Sequence, residues 1–285
     1  MNNSIHFLNG KFVVEEELLI SPRDLGFSRG YAVADFLVTH NLKPFRLSQH
    51  IDRLYKSAEI IGLKIPWTKD QVSDWIKETL AKNNSKEEKT IKIFLTGGIS
   101  HSMYQEENPT IMIVIGSYIR PPASYYENGV KAKAVKYERQ FYEAKTTNYI
   151  EAIKVLSENK DNGITEVIYY NDSQVFEGGG CNVFAVIDNK LVTPKSNIVE
   201  GITRNVLLKI LKLDIPIEVR DFTFNELVNA SEVFLTGSSK EIRGVVNIDG
   251  KDIGSGKVGE ITKEASRQYK EYISKPQSLS TASGE

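Results

Sequence analysis

Over residues 4–20 apolar and polar side chains alternate in short runs, which predicts short strands with Asn9-Gly10 as the turn between them. From Ser48 the spacing changes. Ile51, Leu54, Tyr55, Ala58 and Ile61 recur at helical intervals, with Ser48 placed to cap the start and Gly62 to end it. A second helix is predicted from Thr68, whose spacing to Gln71 suits a capping box ahead of Val72, Ile76 and Leu80. Ile91, Ile93 and Leu95 then alternate as a strand, and residues 110–115 predict another.

Residues 119–123, Ile-Arg-Pro-Pro-Ala, form the best linker, because two prolines continue neither a helix nor a sheet ladder. Beyond it the pattern predicts strands at 130–137, 165–170, 182–187 and 231–236. Helical patterns cover 148–158, 203–212 and 258–273. The expectation is therefore an N-terminal domain over 1–119, a linker at 120–123 and a larger domain over 124–275. Residues 276–285 are small and polar, the composition of a disordered tail.

Composition adds mostly exclusions. With 285 residues, 40% hydrophobic and 26% charged, the chain has the profile of a globular protein. A net charge of −1 gives no electrostatic reason to expect nucleic acid or an anionic membrane as partner. The one cysteine, Cys181, allows no intrachain disulfide and suits a reducing compartment. No secretory signal pattern and no apolar run of membrane-spanning length is present, so a soluble, cytoplasmic protein is expected.

Several familiar motifs fail. The four histidines are scattered without metal-ligand spacing, so no metal site is expected. Gly254-Ser255-Gly256-Lys257 lacks the remaining glycine and the hydroxyl residue of a phosphate loop, and predicts a surface turn. There is no G-x-S-x-G elbow, and Gly178-Gly179-Gly180 lacks dinucleotide-fingerprint spacing.

Four separated segments succeed together: F-R-L-S-Q-H-I-D-R-L (45–54), E-A-K-T-T-N-Y (143–149), E-G-G-G-C-N-V-F (177–184), and the paired turns G-I-T-R (201–204) and T-G-S-S-K-E-I (236–242). In type and order they resemble the class IV, fold type IV, aminotransferases, over about 270 residues of the chain. Taken singly, a helix arginine, a surface lysine or a Gly-Ser-Ser turn is commonplace. Their order and spacing carry the resemblance.

The resemblance implies pyridoxal 5'-phosphate (PLP) as cofactor and an α/β (α+β) fold of two domains. These are a small N-terminal α+β domain and a larger C-terminal domain with a β-barrel, the cofactor lying in the cleft between them. Lys145 would be the Schiff-base lysine, in a strand-to-helix turn beside Glu143 and Ala144, with Tyr149 near the phenolic oxygen. Arg53 would offer its planar fork to the phosphate. Glu177 would pair with the pyridine nitrogen and keep the ring an electron sink, with the glycines after it letting backbone approach. Ile202 and Thr203 would cradle phosphate from a helix N-terminus, Ser238 would add a hydroxyl, and the Ser239-Lys240 peptide would face the substrate carboxylate. Cys181 would lie nearby as a packing residue.

The implied reaction is a ping-pong transamination between an amino acid and a 2-oxo acid, with Lys145 moving the α-proton. An aminodeoxychorismate lyase-like enzyme shares the same cofactor residues and is the alternative. A non-catalytic binding protein on this scaffold is disfavoured by the intact Lys145, Glu177 and Arg53. A homodimer is implied by the family alone.

Substrate choice divides the indications. The typical D-amino-acid transaminase carries Thr-Arg-Gly where this chain has Thr96-Gly97-Gly98, and a pocket tyrosine where it has Ala34. Residues 27–36, F-S-R-G-Y-A-V-A-D-F, instead resemble the R-G-Y-G-x-x-D pattern of atypical D-amino-acid transaminases and of some branched-chain aminotransferases. Arg29 and Tyr31 are thereby expected to bind substrate, with Arg29 binding the substrate carboxylate. The spacing Lys145 to Asn148 favours the D-specific enzymes, whereas Thr236-Gly237-Ser238 and Glu241-Ile242 lie closer to the branched-chain pattern. Arg243 departs from the family's usual residue.

Overall fold

The Asn9-Gly10 turn forms as its residue types demand, both residues having positive φ (46° and 88°) between antiparallel strands β1 (Ile5–Leu8) and β2 (Lys11–Val14). This computed structural model describes residues 4–83 and 86–275; the tail expected over 276–285 lies outside them. The chain divides into two compact units. Unit 1 is Met1–Ile119, Glu143–Asn148 and Ser274–Glu285, and unit 2 is Arg120–Tyr142 and Tyr149–Ile273. The break at Ile119/Arg120 falls in the proline-rich stretch, but Glu143–Asn148, expected within 124–275, clusters with unit 1.

Unit 1 continues through α1 (Leu25–Arg29), β3 (Ala32–His40), β4 (Lys43–Pro44), α2 (Leu47–Ile60), α3 (Lys69–Lys82), β5 (Lys89–Thr96) and β6 (Thr110–Ser117). Its strands form a six-stranded antiparallel sheet ordered β2-β1-β6-β5-β3-β4. Val33 and Leu37 of β3, Ile91, Ile93 and Leu95 of β5, and Ile111, Ile113 and Ile115 of β6 are buried with Ile51, Leu54 and Ala58 of α2 and Val72 and Ile76 of α3. Alternation in the strands and helical spacing in the helices thus meet in one core. The Thr68–Gln71 capping box forms as predicted. Ser48 does not cap: α2 starts one residue earlier, after Arg46 in the left-handed region (φ 52°), with no side-chain cap.

Unit 2 comprises α4 (Ser124–Glu127), β7 (Val130–Lys136), α5 (Ile150–Glu158), β8 (Ile164–Tyr170), β9 (Val175–Gly178), β10 (Asn182–Ile187), β11 (Lys190–Thr193), α6 (Ile202–Ile210), β12 (Ile217–Val219), α7 (Phe224–Val228), β13 (Glu232–Gly237), β14 (Glu241–Ile248), β15 (Lys251–Asp252) and α8 (Glu260–Ser274). Its sheet runs β12-β11-β10-β13-β14-β7-β8-β9, and β9 pairs back onto β10. That last pairing closes β7, β8, β9, β10, β13 and β14 into a barrel, with β7 parallel to both its neighbours. Ala132, Ile168, Val183, Ala185, Val233, Leu235 and Val245 supply a period-2 apolar set to the main core. On the opposite strand face, the Phe184 and Phe234 rings stack 4.9 Å apart across β10 and β13. Gly254 and Gly256 sit in a turn with positive φ, as the rejected phosphate-loop motif predicted.

Candidate active site

Within unit 1 the lysine segment is held by backbone. Lys145 C=O accepts from Ala34 N–H at 2.9 Å, Thr147 N–H donates to Ala32 C=O at 3.3 Å, and Thr146 bridges Val33. This is not a tight strand-to-helix turn: β7 ends at Lys136, α5 starts at Ile150, and residues 145–147 of the connection pair with β3. Lys145 N–H donates to Ser57 Oγ at 3.0 Å, while the Ser57 hydroxyl donates to Arg53 C=O at 2.8 Å. Ser57, fully buried on α2, thereby ties the lysine backbone to the arginine backbone.

The Arg53 fork is engaged by Asp35: Nε donates to Oδ2 at 2.9 Å and Nη2 to Oδ1 at 2.8 Å. His50 Nδ1 lies 2.7 Å from the same Oδ1 and donates to it. Burial alone would raise the Asp35 pKa, but the Arg53 charge, the His50 ring and their hydrogen bonds outweigh it and hold the carboxyl well below the usual range. For His50 burial dominates and depresses the pKa despite Asp35, with the Arg53 and Lys145 charges adding to that direction. The ring is therefore neutral at pH 7. A phosphate-binding Arg53 would thus be a guanidinium preset by a buried carboxylate, its two-donor edge turned to Asp35 and not to the ligand.

Gly97 explains the missing substrate clamp. A Cβ there would lie 2.7 Å from Tyr31 Cδ1 and 2.9 Å from Leu25 Cδ1, so the Tyr31 ring fills the space a side chain at 97 would need. Tyr31 packs partly buried against the unit 1 core, which raises its hydroxyl pKa. Arg29, the last residue of α1, is exposed, donates from Nη1 to Ser28 C=O at 2.8 Å and from Nε toward Met103 Sδ at 3.4 Å, and meets no acidic side chain among the described residues.

In unit 2, Glu177 is buried on β9, ion-paired to Arg139 Nη1 and accepting from Val199 N–H at 3.0 Å. Asn182 donates to Val199 C=O at 2.8 Å, and its Oδ1 stands where a Cβ on Gly201 would go. These contacts fix the loop leading into α6, whose N-cap Gly201 provides no capping side chain, so its first-turn N–H donors suit an anion. Ile202 and Thr203 open that helix, both buried, and Arg204 anchors it by donating to Pro194 C=O at 2.8 Å and Thr193 Oγ1 at 3.2 Å. Gly178 and Gly179 are required by barrel packing, because added Cβ atoms would meet Cys181, Val167 and Ala152. Only Gly180 faces an open approach, with Tyr149 Cε1 3.8 Å from a built Cβ. Tyr149 itself precedes α5 as its N-cap.

Ser238, Ser239 and Lys240 form the β13–β14 turn, closed by Lys240 N–H donating to Gly237 C=O at 3.2 Å. That N–H belongs to the peptide expected to face the substrate, and its first commitment is to the turn. The Lys240 side chain donates to Glu166 Oε2 at 2.5 Å, and Arg243 Nη1 donates to Glu166 Oε1 at 3.2 Å. Burial would lower the Lys240 pKa, but Cys181 and Glu166 overcome it and hold it above the ordinary lysine value. Burial pushes the Cys181 thiol up to about 12, in keeping with packing and not nucleophilic chemistry.

Sequence reasoning missed Asp35, His50, Ser57, Arg139, Asn182 and Glu166. Asp35 and His50 stood inside quoted motifs and could have been found there, whereas Arg139 and Glu166 have no local signal. Each unit offers groups of the kinds PLP requires: unit 1 an amine on a fixed segment, and unit 2 a buried carboxylate, a tyrosine, and an uncapped helix N-terminus beside a glycine into which no side chain fits.

The sequence profile described as Amino-transferase class IV matches residues 32–248. The chain belongs to the class IV aminotransferase family. It is a PLP-dependent aminotransferase of fold type IV. It is 33% identical over 281 residues to a putative branched-chain-amino-acid aminotransferase of Methanocaldococcus jannaschii, covering 94% of this chain and 96% of that one. It is 32% identical over 275 residues to the D-alanine aminotransferase of Staphylococcus haemolyticus, covering 94% and 97%. The crystal structure of a branched-chain aminotransferase from Thermoproteus uzoniensis with norvaline superposes with a TM-score of 0.87 at 28% identity, covering 97% of each chain. Among the described residues no helix of this class IV aminotransferase is long and apolar enough to cross a membrane.

Proposed function

We propose that this enzyme moves an amino group between a D-amino acid or branched-chain L-amino acid and a 2-oxo acid, with Lys145 as its catalytic base and Arg29 as the ligand of the substrate carboxylate. The carrying observation is the Lys145 segment, fixed through its own backbone to β3 and Ser57 while its side chain stays only partly buried. When bound, PLP supplies an electrophilic aldehyde and an electron-withdrawing ring. Lys145 Nζ holds the cofactor and, once released, removes the substrate α-proton and returns it. Glu177, oriented by Arg139 and Val199 N–H, would accept from the pyridine N–H. Ile202 and Thr203 at the α6 N-terminus and Ser238 would donate hydrogen bonds to the phosphate, the preset Arg53 would offset its charge, and Tyr149 would donate toward the phenolic oxygen.

Arg29 is favoured for the substrate carboxylate because Gly97 cannot carry a clamp and Arg29 has no acid partner among the described residues. Tyr31 and the Ser239-Lys240 turn are further substrate-binding candidates. Around Arg29 the apolar side chains Phe27, Met103 and Tyr104 are more than 70% exposed, which supports a homodimer covering this surface. The buried single thiol suits a cytoplasmic location.

The test mixes purified holoenzyme separately with L-leucine, D-alanine and D-glutamate, following the cofactor absorbance. Conversion to the aminated cofactor with L-leucine alone assigns a branched-chain role, and with D-amino acids alone a D-specific one. No conversion with any amino acid refutes the reading. Lys145→Ala should lose both the visible absorbance of covalently held cofactor and essentially all turnover. Arg29→Ala should raise the donor KM about tenfold or more, as expected for removal of a charged hydrogen-bond donor; an unchanged KM refutes that role.

A further inference from the structure

Glu166 is an acid inside a barrel, with no part in the chemistry above. It stands on β8 opposite Ala132 of β7, with its side chain 2% exposed. Its two oxygens are divided between two cations from another part of the barrel: Oε2 accepts from Lys240 Nζ at 2.5 Å and Oε1 from Arg243 Nη1 at 3.2 Å. Cys181 Sγ, at the β9–β10 junction, lies 3.9 Å from Oε2. One carboxylate therefore joins β8, the β9–β10 junction, the β13–β14 turn and the start of β14. Lys240 and Arg243 flank Glu241, a buried non-glycine residue at φ 53°, so the backbone leaving the turn is held in an uncommon conformation. Glu166 grips the side chain just before that residue, Lys240, and the one two residues after it, Arg243.

We propose that Glu166 is a positioning residue that fixes the Ser238–Lys240 turn from inside the barrel, setting the geometry with which the turn meets cofactor phosphate and substrate carboxylate. The inference rests on the assignment of that turn made above. Removing the acid leaves two neighbouring cations, one of them almost wholly buried, without a counter-charge, and frees Lys240 to swing out and take the turn with it. Supporting shells of this kind govern affinity and orientation more than the chemical step, typically by one to two powers of ten.

The test compares Glu166→Gln, Glu166→Asp, Lys240→Met and Ser238→Ala with the parent enzyme. Apoenzymes are titrated with PLP by tryptophan fluorescence, melting temperatures are taken without cofactor, and KM and kcat are measured on holoenzymes. In E166Q the PLP dissociation constant and the donor KM should each rise about tenfold while kcat at saturation stays within about twofold. E166D should recover most of the loss. K240M keeps the Glu166–Arg243 pair and should show the same shifts more weakly; it decides the matter if E166Q does not fold. A lowered melting temperature with unchanged PLP affinity and KM would make Glu166 structural only and overturn the proposal. If S238A weakens PLP binding while E166Q and K240M do not, positioning fails but the turn's assignment stands. If S238A alters neither PLP affinity nor KM, the assignment itself fails and takes the proposal with it.

Discussion

At Asp35, burial and ion pairing act in opposite directions, and the outcome sets how the enzyme responds to acid. The folded-state pKa of Asp35 is depressed, so its contribution is present above the ordinary value of 3.8 and is lost as pH falls through the folded value. His50 is also depressed, from 6.5, because burial disfavours its charged form. The unfolded chain therefore takes up a proton at His50 first, and stability should decline as pH falls below about 6.5, well before Asp35 contributes. His50→Asn keeps a donor toward Asp35 but cannot titrate. Melting curves of the apoenzyme between pH 7.5 and pH 5 should be flatter in that variant than in the parent, and parallel curves would exclude His50 as the source. Arg53→Met should cost about 3–5 kcal/mol of apoenzyme stability, because it strands a buried carboxylate. Denaturant melts without cofactor separate this from any loss of phosphate binding.

Elements were legible where one local rule decided them. The Asn9-Gly10 hairpin, the Thr68–Gln71 capping box, the alternation in β5 and the apolar run of β10 all formed where the pattern placed them. Ser48 failed as a cap because Arg46, in the left-handed region, already turns the chain into α2. β14 escaped detection since Glu241 and Arg243 put charges into a stretch that is buried on both faces, and both meet partners on other strands or in other loops. Glu177 and Lys145 stood out through motif order, but Arg139 and Ser57 act across 38 and 88 residues of sequence, a separation that periodicity cannot span. Gly97 belongs to this scale too, because its lack of a side chain is half of a packing pair with Tyr31. Gly97→Ala should cost about 1–3 kcal/mol by overpacking, and Tyr31→Ala in the same chain should recover part of it. Fully additive losses in thermal melts would show that the two positions do not share the space.

At the scale of the whole molecule, the barrel of unit 2 depends on one pairing, β9 with β10, that turns a run of strands into a closed ring. Neither strand's composition announces it; Gly178 ends β9 and Gly179 follows it, and neither has room for a side chain. The proposed cofactor ligands are several: Lys145, Arg53, Tyr149, Glu177, Ile202, Thr203 and Ser238. Covalent attachment is thus one contribution among several, and Lys145→Ala removes only that one. The variant should still bind PLP reversibly through the remaining donors. Any ligand that binds the folded state alone stabilises it by RT ln(1 + [L]/Kd), about 2.7 kcal/mol at a hundred times Kd, or roughly 5 °C for a chain of this size. The melting temperature of Lys145→Ala should therefore climb with the logarithm of added PLP, and Glu177→Ala in that background should shift the curve to higher concentration. A melting temperature indifferent to PLP in Lys145→Ala, alongside a large rise in the parent, would mean that the lysine bond alone retains the cofactor and that the unit 2 assignments carry little binding energy.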